Sequence, residues 1–329
     1  MIVPMAASVL LSVLGIQDPV VSEPFADLFE AREYQHPDGP NEQPIAIPYR
    51  LFVPRNIKAN ERCPVLLWLH GRNDGGPENH FNMKYLPLVL DDLSHIEQYR
   101  FFILVPQCPT TELVWTSPLG RPSSNANEPN DMLTVTFKLL QQMMHDYPID
   151  ADRIYMLGIC SGGHGTWEMA IRHPGLFAAI VPTAPGGGDV LQAAKLAKIP
   201  IWAFHNRNDK PEGTMQMVSA VKKAGGNVYL TLPESDKHDC WVAAFQQCHI
   251  MEWMLAQHRG AFLRWMPAGC VPWNWSHILT VPSVCLLVVW LGWFSEQKRR
   301  QRKRRSIRVD QETTITGNAQ AFSSQFPNS

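Results

Sequence analysis

The chain has 329 residues, 29 basic and 30 acidic side chains, and a formal charge of −1; residues 298–308 hold eight basic and no acidic ones, so the remainder carries −9. A basic cluster confined to one short stretch of an otherwise acidic chain excludes the cationic face that nucleic-acid binding needs. The seven cysteines, at 63, 108, 160, 240, 248, 270 and 285, contain no paired C-x-x-C spacing, so neither a metal site nor a cofactor is expected, and any disulfide pairing is left open.

In chain order, residues 1–16 contain no charged side chain and stop at Gln17 and Asp18. That length suits the apolar core of an export signal better than a full membrane span, although no Lys or Arg precedes it. Export is expected, with Val13 and Gly15 small enough to serve cleavage after Gly15; an uncleaved anchor and a buried N-terminal strand are the alternatives. From about 25 to 260, apolar runs alternate with helical patterns, which predicts one α/β domain built on a mostly parallel sheet.

Within that stretch the run 64–69 reads as a buried strand and feeds the glycine-rich loop 70–76. The Pro-, Gly-, Ser- and Asn-rich stretch 117–130 reads as a long loop beside a cleft. A helix is predicted near 131–146, with Leu133, Phe137, Leu140 and Met144 recurring on its buried face. Next comes the run 153–157, followed at once by Gly158-Ile-Cys-Ser-Gly-Gly-His-Gly165.

A strand that turns abruptly into a helix strains the residue at the apex, and the residues two before and two after it must be glycine-sized. Gly158 and Gly162 frame Cys160 in that way, whereas Ser161 is framed by Ile159 and Gly163. The predicted nucleophile is therefore the Cys160 thiol, with plain loop punctuation as the bland alternative. Such a turn is followed in chain order by an acid and then a histidine, each after a later strand. The run 199–204 leads into a loop that offers Asp209, and the run 227–232 leads into one that offers His238. Asp236 and Asp239 flank the histidine and rank lower, because sequence neighbours seldom orient an imidazole from behind. Backbone amides of Arg72 and Ser161 are the expected oxyanion donors. Further helices are expected after the turn, over about 213–223, and over 242–257.

Beyond the domain, residues 273–294 form an uncharged run of 22 with tryptophans at 273, 275, 290 and 293. That is enough to cross about 30 Å of hydrocarbon at about 1.5 Å per residue. Seven basic residues within 298–305 follow it, the mark of a cytoplasmic flank. A single-pass protein is expected, with its domain outside the cytoplasm and a polar, disordered tail over 298–329.

Taken together, "YRLFVP" at 49–54, "LLWLHG" at 66–71, "VPQCP" at 105–109, "GICSGGHGTWEMA" at 158–170, "PIWAFHNRND" at 200–209 and "KHDCW" at 237–241 resemble the α/β-hydrolase superfamily. The likeness is to the polyhydroxybutyrate-depolymerase-like and predicted-peptidase esterases of the prolyl oligopeptidase clan, over about 43–258. Most of those carry Ser where this chain has Cys160, while the bacterial dienelactone hydrolases resemble it in using a Cys-His-Asp set. The resemblance implies an ester hydrolase and says little about the substrate; the leading reading is a membrane-anchored enzyme acting on a small-molecule, carbohydrate or phenolic ester or a short polyester. A peptidase of the prolyl oligopeptidase type and a non-catalytic binding protein on the same fold are the alternatives. The sequence does not indicate the oligomeric state.

Overall fold

The computed structural model describes residues 23–37, 43–90, 100–110, 114–116 and 131–260, all in a unit that ends at Pro272. The expected export segment 1–16, the loop 117–130, the apolar run 273–294 and the tail 298–329 lie outside the described residues. Among the described residues no helix is long and apolar enough to cross a membrane.

Eight strands form one sheet: β1 (Glu30–His36), β2 (Ile45–Phe52), β3 (Cys63–Leu69), β4 (Phe102–Pro106), β5 (Ile149–Ile159), β6 (Ala179–Thr183), β7 (Ile201–Phe204) and β8 (Val228–Thr231). Their spatial order is 1-2-4-3-5-6-7-8, with β2 antiparallel to β1 and β4 and every other pairing parallel. Every residue of β3, β4, β6 and β7 is buried, as continuous apolar runs must be when helices cover both faces of a sheet. Alternate side chains of β3 serve opposite faces. Val65, Leu67 and Leu69 join the core cluster with Leu139 and Trp167, while the Trp68 indole donates to Asn82 O at 2.8 Å and meets Phe245. Strand β1 has the sequence EAREYQH and is largely exposed; no apolar pattern predicts it, and it exists because β2 offers an edge to pair with.

Helix α1 (Met132–Asp146) starts where its capping chemistry dictates. Asp131 accepts from Thr134 N at 2.9 Å and receives both terminal nitrogens of Arg172, each at 2.9 Å. Its buried face matches the predicted one only in part. Leu133 and Leu140 are buried, but so are Val135, Thr136, Leu139 and Met143, whereas Phe137 and Met144 are only partly buried. The stripe is wider than the spacing suggested because the sheet and α2 (Ser161–Arg172) both press on this helix, and Phe137 stacks on His173 instead.

Helix α3 (Glu212–Lys223) agrees with expectation to within a residue. The helix expected over 242–257 is two helices, α4 (Cys240–Gln247) and α5 (Ile250–Leu255). The break falls at Cys248, which is disulfide-bonded, and at His249, whose backbone leaves the helical region. Cys63, Cys108, Cys160 and Cys240 are free thiols.

Candidate active site

Parallel pairing brings the carboxyl ends of β3, β5, β6, β7 and β8 to one edge of the sheet, the place where open α/β sheets bind ligands. Cys160 sits there at φ 51° and ψ −114°, a conformation that costs a non-glycine residue about 1–3 kcal/mol and persists only where the surroundings enforce it. They do so through backbone contacts. A Cβ on Gly158 would lie 2.2 Å from Gly162 O, and one on Gly162 would lie 2.1 Å from Leu69 O. Cys160 N donates to Thr183 O at 2.9 Å, and the Thr183 hydroxyl donates to Gly158 O at 2.8 Å, so the end of β6 pins the turn. Ser161 Oγ is buried with no hydrogen-bond partner among the described residues, and no base among them meets it.

The loops after β7 and β8 bring the carboxylate and the imidazole to that thiol. His238 Nδ1 is 2.6 Å from Asp209 Oδ2, and its ring also hydrogen-bonds Cys160. Asp239 does not compete for the ring, because its carboxylate accepts from Asn206 Nδ2 at 3.0 Å, and Asp236 is exposed. Burial raises the Cys160 thiol, but the hydrogen bond and charge of His238 and the amides of Arg72 and Ser161 outweigh it and hold the thiol below its ordinary range. His238 is pushed up to about 9, first by its bond to Cys160 and then, against the cost of burial, by Asp209. Thiol and imidazole therefore titrate as one pair that favours thiolate and imidazolium. By contrast, burial drives the free thiols Cys63, Cys108 and Cys240 upward.

Both expected oxyanion donors face the sulfur, since the amides of Arg72 and Ser161 each hydrogen-bond Cys160. The Arg72 amide is held by its loop. Gly71 N donates to Asp74 Oδ2 at 3.2 Å, and Gly76 N donates to Cys108 O at 2.9 Å. Beneath it lies His70, which sequence reasoning gave no role. Its Nδ1 faces Gly71 O at 2.6 Å and its Nε2 accepts from Cys108 N at 3.0 Å, so the proton resides on Nδ1. Burial, opposed by the bond to Gly71, lowers this ring to about 4, so it stays neutral while it ties the loop to the strand end beyond β4.

Three more residues had no sequence signal of their own. The buried ring of His205 is 2.8 Å from Asp209 O through Nε2 and 2.7 Å from Thr214 Oγ1 through Nδ1, which braces the acid-bearing loop. Asn206 Nδ2 donates to Lys237 O at 2.8 Å and ties that loop to the histidine loop. His164, on the first turn of α2, lies 2.9 Å through Nδ1 from Gly187 O. A cleft of about 620 Å³ opens between these parts, lined among the described residues by Arg72, Val114, Cys160, His164, Pro185 and His238, with others. No group of three or more metal-ligating side chains occurs among the described residues.

The strand order, the strained turn after β5, and a carboxylate and an imidazole after β7 and β8 define an α/β-hydrolase fold. No protein-family model matches the chain. Acetylxylan esterase A of Aspergillus ficuum is 26% identical over 143 residues, which are 42% of this chain and 42% of that protein. A thermostable esterase of known crystal structure is 31% identical with a TM-score of 0.63, over 71% of this chain and 64% of the other. The acylaminoacyl peptidase of Pyrococcus horikoshii superposes with a TM-score of 0.52 at 14% identity, over 72% of this chain and 43% of that one, a likeness of fold alone. The chain thus spans about two-fifths of the length of the curated esterase and just under two-thirds of the crystallised one.

Proposed function

We propose that the protein hydrolyses carboxylic esters through Cys160, His238 and Asp209, with a thioester acyl-enzyme. The observation that carries this reading is the placement of His238 between the Asp209 carboxylate and the Cys160 sulfur, while two backbone amides face the same sulfur. The Cys160 thiolate adds to the ester carbonyl, and the oxyanion moves onto the amides of Arg72 and Ser161. The carbon–oxygen bond breaks as His238 protonates the leaving alcohol. His238 then takes a proton from water as the water attacks the thioester, and the carbon–sulfur bond breaks to return the Cys160 thiolate beside the His238 imidazolium, with the acid as product. Asp209 keeps the ring oriented and stabilises its imidazolium.

The curated relatives are named acetylxylan esterases, which supports an acylated carbohydrate as the substrate class, with phenolic esters as the near alternative. The apolar run 273–294 with its basic flank supports a membrane anchor, with the domain on the extracytoplasmic side. The disulfide at Cys248 supports an oxidising compartment.

Full-length protein should hydrolyse p-nitrophenyl acetate, and iodoacetamide should label Cys160 and stop turnover together. Cys160→Ala should be inactive. Undiminished turnover after complete labelling of Cys160, or an active Cys160→Ala beside an inactive Ser161→Ala, overturns the assignment.

A further inference from the structure

Resting on the esterase reading, we infer that His164 is a recognition imidazole, which selects esters whose alcohol carries a free hydroxyl next to the esterified oxygen. His164 Nδ1 lies 2.9 Å from Gly187 O, and a carbonyl oxygen only accepts, so Nδ1 carries the hydrogen. In the neutral ring Nε2 is then an acceptor, and no donor among the described residues meets it. The ring lines the same cleft as Cys160 and His238.

His164 is also held still. Its amide donates to Cys160 O at 3.1 Å, so it rides on the first turn of α2, one turn from the nucleophile. Gly187, whose carbonyl fixes the ring, is at φ 110° and packs against Gly213, where an added Cβ would lie 3.2 Å from the neighbouring backbone. A rigid, unfilled acceptor beside a reacting ester recognises an O–H or N–H donor on the substrate. A cleft that presents this acceptor to the alcohol of an ester reads a vicinal hydroxyl, the feature that separates a partly acylated sugar or polyol from a simple alkyl ester. His238 is committed to Cys160 and Asp209, and His205 to Thr214 and the Asp209 backbone, so neither imidazole is available for this contact.

The test uses full-length protein and two nearly isosteric acetates, 2-hydroxyethyl acetate and n-propyl acetate, with acetate release normalised to the hydroxide-catalysed rate of each ester. Wild type should favour the hydroxy ester in kcat/KM by about 3- to 10-fold, the worth of one neutral hydrogen bond in an open cleft. His164→Phe should bring the ratio to about one, and His164→Gln, which keeps an acceptor, should restore part of it. The ratio is internal to each preparation, so a partly unfolded variant does not distort it. Equal rates in wild type, or a preference that survives His164→Phe, overturn the inference and leave the esterase reading standing. Hydrolysis of neither ester overturns the esterase reading, and this inference with it.

Discussion

The two halves of the site are held by different physics. Cys160 is placed by its backbone: Gly158 and Gly162 allow a close approach that no side chain would survive, and the end of β6 ties the turn down. Asp209 and His238 are placed by side chains on two loops, through Asn206, His205 and each other. A backbone-built seat is rigid and intolerant of substitution, whereas a loop-built seat depends on hydrogen bonds that can be removed one at a time without unfolding the sheet. The difference makes stability the measure of the first half and turnover the measure of the second.

On the loop side the expected effect is large and falls on turnover alone. Asp209→Asn replaces the carboxylate that orients His238 and stabilises its imidazolium with a neutral amide that can also donate, and kcat should fall about 10²- to 10⁴-fold with the denaturation midpoint nearly unchanged. A normal rate in that variant beside a crippled Asp239→Asn would mean that the carboxylate facing Asn206 is the one that matters. On the backbone side, two substitutions at one turn should have opposite signs. Gly162→Ala forces a Cβ to 2.1 Å from Leu69 O, and should cost about 3 kcal/mol or more in chemical denaturation. Cys160→Gly places at φ 51° the residue that tolerates it, and should raise stability by about 1 kcal/mol while abolishing turnover. If Gly162→Ala melts like wild type, the turn is looser than its contacts indicate.

The smallest effect is a pH dependence in which both halves meet. Alkylation requires thiolate, and for a free thiol of pKa about 8.5 the thiolate fraction rises roughly 50-fold between pH 6.5 and 8.5. Because Cys160 is held below the ordinary range by His238 and two amides, its labelling rate should change much less over that interval. His238→Ala removes the main lowering influence and should restore the steep rise. Turnover should fall on the acid side as the thiolate is protonated. On the alkaline side it should fall as His238 loses its proton near pH 9, although labelling continues there. A labelling profile identical in wild type and His238→Ala would mean that the pair does not exist in solution.

Amino-acid order alone determined what rests on local sterics. The G-x-C-x-G frame put Cys160 rather than Ser161 at the strained apex of the turn because the glycine requirement lies two residues to either side, and the alternation of apolar runs with helical patterns determined an α/β sheet. Asp209 and His238, which meet at 2.6 Å, were legible as residues at the ends of two later apolar runs. Tertiary structure decided whatever depends on which element lies alongside. It made a strand of the polar segment Glu30–His36 because β2 offered an edge. It widened the buried face of α1, and it divided Cys240–Leu255 into two helices around the disulfide-bonded Cys248. It also chose among twelve histidines. His70 is neutral because it is buried beneath the loop that carries Arg72, His205 braces the loop that carries Asp209, and His164 has its tautomer set by a carbonyl 23 residues away. An imidazole's role depends on which hydrogen-bond partner meets each ring nitrogen, and those partners come together only when the chain has folded.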